Sequence, residues 1–410
     1  MSDMQRLSIE RLGHRGEGLA EGIFIPRVLP GELVEGVVTD GRMAQPRILT
    51  PAPERVAPGC RHYRGCGGCA LQHARDDFVA EWKQQVVARA LAAQGLDAPF
   101  RPLHTSPAGS RRRATLAGRR LKSGALVGFH ARGSDSLTAV PDCRLLAPVL
   151  IATLPACEAL VMAGGARKGE LALQMTALDT GVDLVVRGGK PLDDALRQSL
   201  PQIAAMHRLA RLSWEDEVLY QTEPPGLVFG RARVCPPPGG FLQATPQGEA
   251  ALQHAMREAV AGARRLADLF AGCGTFSVPL AEDAEVHAVE GEAAALAALD
   301  AGWRATQGLK RVSTEARDLF RRPLLPDELA RFDAIVIDPP RAGAEAQIRQ
   351  IARARVPLVG AVSCNPVTFA RDARLLTEAG YRLDWVQVVD QFRWSAHVEL
   401  AARFRLNHIG

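Results

Sequence analysis

The chain has 410 residues, of which 47% are hydrophobic, 23% charged and 5% aromatic. At about 150 residues per domain this length predicts two or three domains, and the composition is that of a globular protein with large cores. It excludes a collagen, a disordered chain and a small disulfide-stapled domain. No apolar run reaches roughly 18 residues, so we expect no membrane span. The charged N-terminus lacks the apolar core of a signal peptide and predicts a cytoplasmic protein.

The net charge and the cysteines narrow the range of partners. Fifty Lys and Arg against 45 Asp and Glu give a net charge of +5. This excess is weak evidence for a nucleic-acid partner unless the positive charges are clustered. The eight cysteines are not expected to form disulfides in a reducing compartment. A cluster among them therefore indicates metal binding or catalysis.

Residues 5–50 read as short strands separated by glycines and a Pro-Gly turn. Many short strands with glycine turns predict a small β-barrel. Such a barrel is either a purely structural module or an OB-like module that binds RNA. The prolines within 51–58 then mark a linker.

Three cysteines follow this linker in a C-x5-C-x2-C pattern, Cys60, Cys66 and Cys69, with Cys143 farther along the chain. Four thiolates can bind zinc or an iron–sulfur cluster, and spacing alone does not separate the two. Between Cys69 and Cys143, apolar residues at helical spacing predict a helix over 76–94.

A basic segment covers residues 101–133, which contain eight Lys and Arg and no Asp or Glu. A run of positive charge is often only a solvated face. The complete absence of acidic residues favours a surface that follows RNA phosphates. The candidate RNA-binding residues are Arg111, Arg112, Arg113, Arg119, Arg120, Lys122 and Arg132.

From about residue 240, strand-like and helix-like runs alternate, which predicts a doubly wound, mainly parallel sheet. The predicted strands are 265–270, 285–289, 311–316, 332–337, 356–362, 381–389 and 397–404. No helix separates the last two strands, so we expect them to pair as an antiparallel hairpin.

A glycine-rich turn, Asp268-Leu-Phe-Ala-Gly272-Cys-Gly274, follows the first of these strands, and Glu290 ends the second. Such a turn lets a ligand approach the backbone, and a carboxylate at the next strand end accepts hydrogen bonds from ribose hydroxyls. The third glycine of a dinucleotide fingerprint is missing, as is a phosphate-loop pattern. We therefore favour S-adenosylmethionine over NAD. The plainest alternative is a tight turn without a ligand.

Three further strand ends carry chemical groups. The fourth strand leads into Asp338-Pro-Pro-Arg341, where amino-group methyltransferases have an aromatic residue in place of the arginine. The fifth leads to Cys364, which is either a small buried hydrophobe or a nucleophile whose pKa a helix N-terminus lowers. The last strand is predicted to begin at 397 and to carry Glu399, whose pKa burial would raise, as suits a general base.

These groups together suggest one reaction. Carbon 5 of uracil is a poor nucleophile until a thiolate adds to carbon 6. The resulting enolate can attack a methyl sulfonium, after which a base must remove the carbon 5 proton. Cys364 can be the nucleophile and Glu399 the base, and a target within folded RNA has to be swung out to reach them.

The C-terminal half resembles the RNA uracil-5 methyltransferases that use S-adenosylmethionine. The resemblance rests on five motifs in the family's order: F-L-Q-A-T-P-Q-G, D-L-F-A-G-C-G-T-F, D-P-P-R-A-G, S-C-N-P and H-V-E. It implies a Rossmann-like α/β methyltransferase domain with Cys364 as nucleophile and Glu399 as proton acceptor. The implied cofactor contacts are Gln243, Phe270, Glu290, Asp318 and Asp338.

The N-terminal half is similar to the ribosomal RNA branch of that family. The resemblance implies a [4Fe–4S] cluster on the four cysteines, with zinc or ordinary thiols as alternatives, and a TRAM/OB-like barrel. It predicts a barrel at 1–55, a central α+β RNA-binding domain with the cluster at 56–238, and the methyltransferase domain at 239–410. We expect a monomer that methylates 23S rRNA. The alternatives are a tRNA uridine or cytosine target and a non-catalytic RNA-binding assembly factor.

Overall fold

A computed structural model describes residues 4–407, and its N-terminal part consists of two three-stranded antiparallel sheets. The strands are β1 (Met4–Ser8), β2 (Arg11–Leu12), β3 (Gly18–Ala20), β4 (Ile23–Ile25), β5 (Leu33–Val37) and β6 (Arg47–Thr50). The sheets run in the orders β1-β5-β6 and β2-β3-β4 and share a small core that includes Ile25 and Val34. The short strands predicted within 5–50 are confirmed, and their closure into a barrel stays a prediction.

The helix predicted over 76–94 is present as α1 (Asp76–Ala92). Its buried face carries Val87 and Leu91 into the core of the C-terminal domain, and it is followed by the two-residue strand β7 (His104–Thr105). That strand pairs with Val389 and Asp390 at the edge of the C-terminal sheet. Residues before the central sheet therefore help to build the C-terminal domain.

The central region forms a seven-stranded sheet in the order β10-β9-β8-β11-β12-β13-β14. Its strands are β8 (Arg113–Arg120), β9 (Ala125–His130), β10 (Leu137–Ala139), β11 (Leu171–Leu178), β12 (Gly181–Arg187), β13 (Arg211–Trp214) and β14 (Glu217–Gln221). The helices are α2 (Pro148–Ala152), α3 (Leu154–Gly164) and α4 (Asp194–Met206). They cover one apolar face of the sheet around the fully buried Trp214. A separate hairpin follows, formed by β15 (Leu227–Phe229) and β16 (Ala232–Val234).

The C-terminal domain is an eight-stranded sheet in the order β19-β18-β17-β20-β21-β23-β22-β7. Its own strands are β17 (Arg265–Leu269), β18 (Glu285–Glu290), β19 (Val312–Ala316), β20 (Ala334–Ile337), β21 (Leu358–Ser363), β22 (Tyr381–Asp390) and β23 (Leu400–Leu406). The helices are α5 (Pro246–Ala259), α6 (Ser277–Leu280), α7 (Ala293–Arg304), α8 (Pro326–Leu329), α9 (Glu345–Ala354) and α10 (Pro366–Glu378). Both faces bury apolar side chains, as a doubly wound sheet requires.

Strands β17 to β21 are parallel, and β22 and β23 form the predicted antiparallel hairpin. The strand order reverses between β17 and β20, which is where ligands bind in sheets of this kind. The last strand begins at Leu400 rather than at 397. Glu399 therefore lies in the approach to the strand.

A buried ion pair connects α1 to the end of β22. The Lys83 ammonium donates to Asp390 Oδ1 at 2.6 Å and to the carbonyl of Phe392 at 3.0 Å, and both charged side chains are almost fully buried. Burial lowers the pKa of Lys83, and the Asp390 charge opposes that effect. The pair fixes the chain where it leaves the strand.

Removing one partner of this pair should be costly. Lys83→Met leaves the Asp390 carboxylate buried without a cation, and we expect a loss of about 3–5 kcal/mol in the free energy of unfolding. Urea denaturation measures the loss. The double variant Lys83→Met/Asp390→Asn should recover much of it, because no charge is then buried alone. A single-variant loss within experimental error would contradict this role.

Within residues 4–407, none of the helices combines the length and apolar character that a bilayer crossing requires.

Candidate active site

Cys364 and Glu399 are neighbours because of the register of two antiparallel strands. Ser363 at the end of β21 pairs with Leu400 at the start of β23, so the next residue outward on each strand faces the other. Cys364 is half-buried and Glu399 is buried. The predicted nucleophile and base, distant in the chain, therefore lie side by side where β21 ends and β23 begins. We call this place the reacting edge.

The pKa of Cys364 corrects one expectation. Burial, followed by the charges of Glu399 and Asp338, raises the pKa of this thiol to about 11, although Arg341 acts in the opposite direction. The predicted lowering by the start of α10 is wrong, because two nearby carboxyl groups and desolvation outweigh the helix terminus. The group is therefore a thiol at neutral pH. It becomes a nucleophile when a base removes its proton, or when Glu399 and Asp338 are neutral and no longer raise its pKa.

The two carboxyl groups beside the thiol also titrate abnormally. Burial, with the Asp268 charge, raises the pKa of Asp338 to about 7. Burial and the Asp338 charge raise the pKa of Glu399 well above its ordinary range. Raised carboxyl pKa values suit groups that take up and release protons near neutral pH.

A chain of side-chain amides links the two carboxyl groups. Gln243 Nε2 donates to Asp338 Oδ2 at 3.2 Å, and Gln391 Nε2 donates to Gln243 Oε1 at 2.6 Å and to Glu399 Oε2 at 3.0 Å. The structure thus brings Gln243 and Asp338 together with Glu399. Sequence reasoning missed Gln391, and its only signal was a polar residue directly after a buried strand.

The glycine-rich loop after β17 forms a cradle next to these groups. Glu290 Oε2 accepts from Gly272 N at 3.0 Å, and a side chain at Gly272 would meet nothing within 4 Å. Phe270 has a left-handed φ of 63° and contacts the Phe320 ring at 5.4 Å. Asp318 lies on the neighbouring strand end and accepts from the backbone of Phe320. Open backbone, a carboxylate at a strand end and an aromatic wall fit the adenosyl group of S-adenosylmethionine.

Asp268 lies beneath this loop, fully buried, with Oδ2 accepting from Ser277 Oγ and Oδ1 without a partner among the described residues. Burial raises the pKa of Asp268 to about 7. The folded state therefore binds one more proton than the unfolded state between its ordinary pKa and about 7, and this stabilisation is lost as the pH rises through about 7.

Asp268→Asn should flatten that pH dependence. The wild type is expected to lose stability between pH 5 and pH 7.5 on the order of 1 kcal/mol per pH unit from this group. The asparagine carries no titrating proton, so the variant should lose less over the same range. Thermal melts of both proteins without cofactor measure the difference, and parallel curves would contradict the assignment.

A wide cleft of about 2150 Å³ opens over Cys364. It is lined by the loops of the N-terminal sheets, by α1 and by the segments around Arg341 and His397. Among the described residues that line it are nine arginines and a single carboxylate, Glu17. Arg341 Nη2 donates to His397 Nδ1 at 2.8 Å beside the thiol. The reacting edge therefore faces a strongly basic surface.

The predicted RNA-binding residues have different surroundings. Arg132 lines the cleft. Arg111 and Arg113 line a smaller cavity of about 220 Å³ next to Gln243, where their guanidinium groups lie 5.1 and 5.0 Å from the Phe392 and Phe241 rings.

Arg112 corrects the prediction, because its side chain is buried and pairs with Glu249 on α5. It donates to the carbonyl of Gln243 as well and therefore supports the site from inside, where no phosphate can reach it. Arg119 pairs with Glu170 at 2.7 Å. Arg120 and Lys122 lie at the far end of the β8–β9 hairpin, outside the residues that line either cavity.

The four predicted cluster ligands come from two loops. Cys60, Cys66 and Cys69 lie between β6 and α1, and Cys143 follows β10; all four are free and half-buried. Burial raises the pKa of Cys69 to about 12, and the other three thiols add to the shift, so all three lie near Cys69. Within residues 4–407, no three His, Cys, Asp or Glu side chains are close enough to hold a single metal ion.

Comparisons with known proteins show the family to which this chain belongs. A family model described as tRNA (uracil-5-)-methyltransferase matches residues 241–404. An uncharacterized RNA methyltransferase of Brucella suis is 42% identical over 97% of this chain and 97% of its own. The 23S rRNA (uracil(1939)-C(5))-methyltransferase of Halomonas elongata is 35% identical over 96% of this chain and 88% of its own.

A solved structure shows the same fold over nearly the whole chain. The tRNA (uracil-54, C5)-methyltransferase of Pyrococcus abyssi, in complex with S-adenosyl-L-homocysteine, superposes with a TM-score of 0.76 at 22% identity. The superposition covers 97% of this chain and 99% of the other. On the strength of the full-length relatives, the chain belongs to the RNA uracil-5 methyltransferases, which use S-adenosylmethionine as methyl donor.

Proposed function

We propose that this enzyme transfers a methyl group to carbon 5 of a specific uridine in 23S rRNA through a covalent cysteine–uracil adduct. The observation that carries the proposal is the β21–β23 register, which puts the Cys364 thiol beside the buried Glu399 carboxyl group. Cys364 lines the basic cleft, and Glu399 lies buried behind it.

The proposed chemistry assigns one bond to each residue. The Cys364 thiol gives its proton to a base as its sulfur forms a bond to carbon 6, and the electron pair of the C5–C6 double bond makes carbon 5 nucleophilic. S-adenosylmethionine, when bound, supplies the electrophilic methyl group and keeps the electron pair of the broken C–S bond as S-adenosylhomocysteine. Glu399 then takes the proton from carbon 5, the double bond re-forms, and the sulfur leaves carbon 6 with its electron pair. The sulfur takes up a proton to regenerate the thiol, so the net release is the carbon 5 proton and no redox partner is needed.

The residues proposed to hold the cofactor follow the strand ends. Phe270, Glu290 and Asp318 would contact its adenosine part, and Asp338 and Gln243 would lie between the cofactor and the base. The first three lie at the ends of the neighbouring parallel strands β17, β18 and β19. Asp338 follows β20 at the switch point of the sheet, and Gln243 precedes α5. A carboxylate whose oxygens accept backbone N–H groups, as in Glu290, is held ready for ribose hydroxyls.

The target in 23S rRNA is supported by the Halomonas relative, which is named a 23S rRNA uracil methyltransferase. A tRNA uridine is the second candidate, because the Pyrococcus enzyme of the same fold acts on tRNA. Mass spectrometric mapping of 5-methyluridine with and without the gene separates them. We expect loss at one 23S rRNA position with tRNA unchanged. Loss from tRNA with rRNA intact would contradict the ribosomal target.

The basic cleft is proposed to hold the RNA backbone. Arg11, Arg15 and Arg64 line it, and no carboxylate of the described chain lies within ion-pair distance of them. Unpaired arginines next to the reacting edge suit phosphate contacts. Arg132, in the loop between β9 and β10 and 3.9 Å from Glu17, lines the same cleft. Arg111 and Arg113 would contact RNA at the smaller cavity.

The double variant Arg11→Ala/Arg15→Ala should weaken RNA binding without changing cofactor binding. Each lost phosphate contact is expected to reduce the slope of log affinity against log salt by about 0.7 for single-stranded RNA. Filter binding across a salt series measures the slope. The exposed Arg349 on α9 gives the control Arg349→Ala. An unchanged slope in the double variant would place the RNA elsewhere.

We also propose that Cys60, Cys66, Cys69 and Cys143 bind a [4Fe–4S] cluster. Four free thiols near one another are the donor set of such a cluster, which spreads its ligands wider than a single ion does. The loop is held to β9 by Gly67 N, which donates to the carbonyl of His130 at 2.9 Å. Purification without air should give brown protein with stoichiometric iron and sulfide. Colourless protein containing stoichiometric zinc would contradict the cluster.

A further inference from the structure

The amide of Gln391 can point in only one direction. Its Oε1 accepts from Ala244 N at 2.7 Å, and a flipped amide would set two N–H groups against each other there. Its Nε2 must therefore face the other way, where it donates to Gln243 Oε1 at 2.6 Å and to Glu399 Oε2 at 3.0 Å. Both N–H donors of this buried side chain are used.

This fixed amide sets the orientation of two further groups. Since Gln243 Oε1 accepts from Gln391, the Gln243 Nε2 must point away from it, toward Asp338 Oδ2. One oxygen of Glu399 is held by Gln391, which leaves the other oxygen for a proton acceptor role. The Gln391 side chain thereby connects the backbone amide of Ala244 to both Gln243 and Glu399.

We propose that Gln391 is a positioning residue that holds the Gln243 amide and the Glu399 carboxyl group in the relative orientation needed for removal of the carbon 5 proton. This inference rests on the proposed function. Gln391 acts through Glu399 and Gln243 and forms no bond to the substrate.

The surroundings of Gln391 are built for close packing. A side-chain carbon added at Gly248 would lie 2.6 Å from Gln391 Cβ, so glycine makes room for it on α5. On its other side, the preceding Asp390 is held by the Lys83 ammonium and by Phe392 N. A residue fixed on both sides can define the position of its partners within a fraction of an ångström.

Loss of the Gln391 hydrogen bond should act on the proton-removal step. That bond lowers the pKa of Glu399 and opposes the effects of burial and of the Asp338 charge. Arg341 also lowers the pKa of Glu399, and the Cys364 thiol at the end of β21 lies near enough for the Glu399 charge to raise its own pKa. Without Gln391 the pKa of Glu399 should rise further, and a larger fraction of the base stays protonated at neutral pH.

The test compares Gln391→Met with Gln347→Met. Gln347 is equally buried in the same domain and bonds Leu324 N and O rather than Gln243 or Glu399. Its variant loses two buried amide hydrogen bonds, whereas Gln391→Met loses three. Turnover is measured on uridine RNA across pH. Trapping is measured separately with 5-fluorouridine RNA, which reports thiol addition and methyl transfer but cannot release fluorine as a cation.

For Gln391→Met we expect turnover to fall about tenfold more than in Gln347→Met. The acidic limb of the pH profile should move to higher pH, and turnover should fall more than trapping does. Gly248→Ala adds a methyl group that displaces Gln391 without removing it. This variant should also lower turnover and move the acidic limb of the pH profile to higher pH. Equal turnover and equal pH profiles in Gln391→Met and Gln347→Met would overturn the proposal. A wild type that neither traps nor methylates RNA would overturn the proposed function and this inference with it.

Discussion

Replacing Cys364 with alanine should lower RNA methylation by on the order of 10⁴-fold or more, because the uracil ring is then not activated at carbon 6. The same variant should form no covalent complex with 5-fluorouridine RNA. Cofactor affinity should be close to that of the wild type, since Cys364 lies at the mouth of the cleft and not in the glycine-rich loop. Calorimetry measures the cofactor affinity, and denaturing gels detect the covalent complex.

A matched control distinguishes the loss of the nucleophile from the general effect of replacing a half-buried cysteine. Cys235 is also half-buried, and burial raises its pKa too, but it lies beside Asp183 and Arg211 of the central sheet. Cys235→Ala should keep full methylation and full trapping. Retained methylation in Cys364→Ala would contradict the proposed adduct, even if the fold and cofactor binding were unchanged.

Glu399→Gln should stop the reaction later than Cys364→Ala does. The amide keeps the shape of the side chain but cannot take the carbon 5 proton, so turnover should fall by about 10²–10⁴-fold. Thiol addition and methyl transfer do not need this proton acceptor. Ordinary uridine RNA should therefore accumulate as a methylated covalent complex, which the wild type resolves.

The pH dependence gives a second readout of the same residue. Since burial raises the pKa of Glu399, the base is ionised only above the ordinary carboxyl range, and wild-type turnover should rise with pH through that raised pKa. This rise of turnover with pH should be missing in Glu399→Gln. The exposed Glu345 gives the control Glu345→Gln, which should behave as wild type. Release of uridine RNA from Glu399→Gln at the wild-type rate would contradict the role of this carboxyl group.

Much of the C-terminal domain could be predicted from the sequence. Alternating strands and helices predicted the parallel sheet, and the missing helix before the last strand predicted the antiparallel hairpin, which is confirmed. The meeting of Cys364 with Asp338 and Glu399 followed from these strands, because strand ends at the same edge of a sheet lie together. Local periodicity and strand order were sufficient for this part.

Other features depend on contacts between distant parts of the chain. Lys83 and Asp390 are 307 residues apart, and nothing near either one shows that they form a buried pair. Arg112 looks like part of a basic surface until Glu249 is seen to pack against it. The raised pKa of Cys364 results from two carboxyl groups and burial, and a motif at a helix start shows none of these.

The central claim is that Cys364 attacks the base that receives the methyl group. Its most direct test is mass spectrometry of the complex trapped with 5-fluorouridine RNA, after digestion with trypsin and nuclease. Cleavage after Arg355 and Arg371 releases one peptide that contains Cys364. This peptide should carry a fluorouridine nucleotide with one added methyl group. A nucleotide on any other cysteine, or an adduct on Cys364 without the methyl group, would contradict the account.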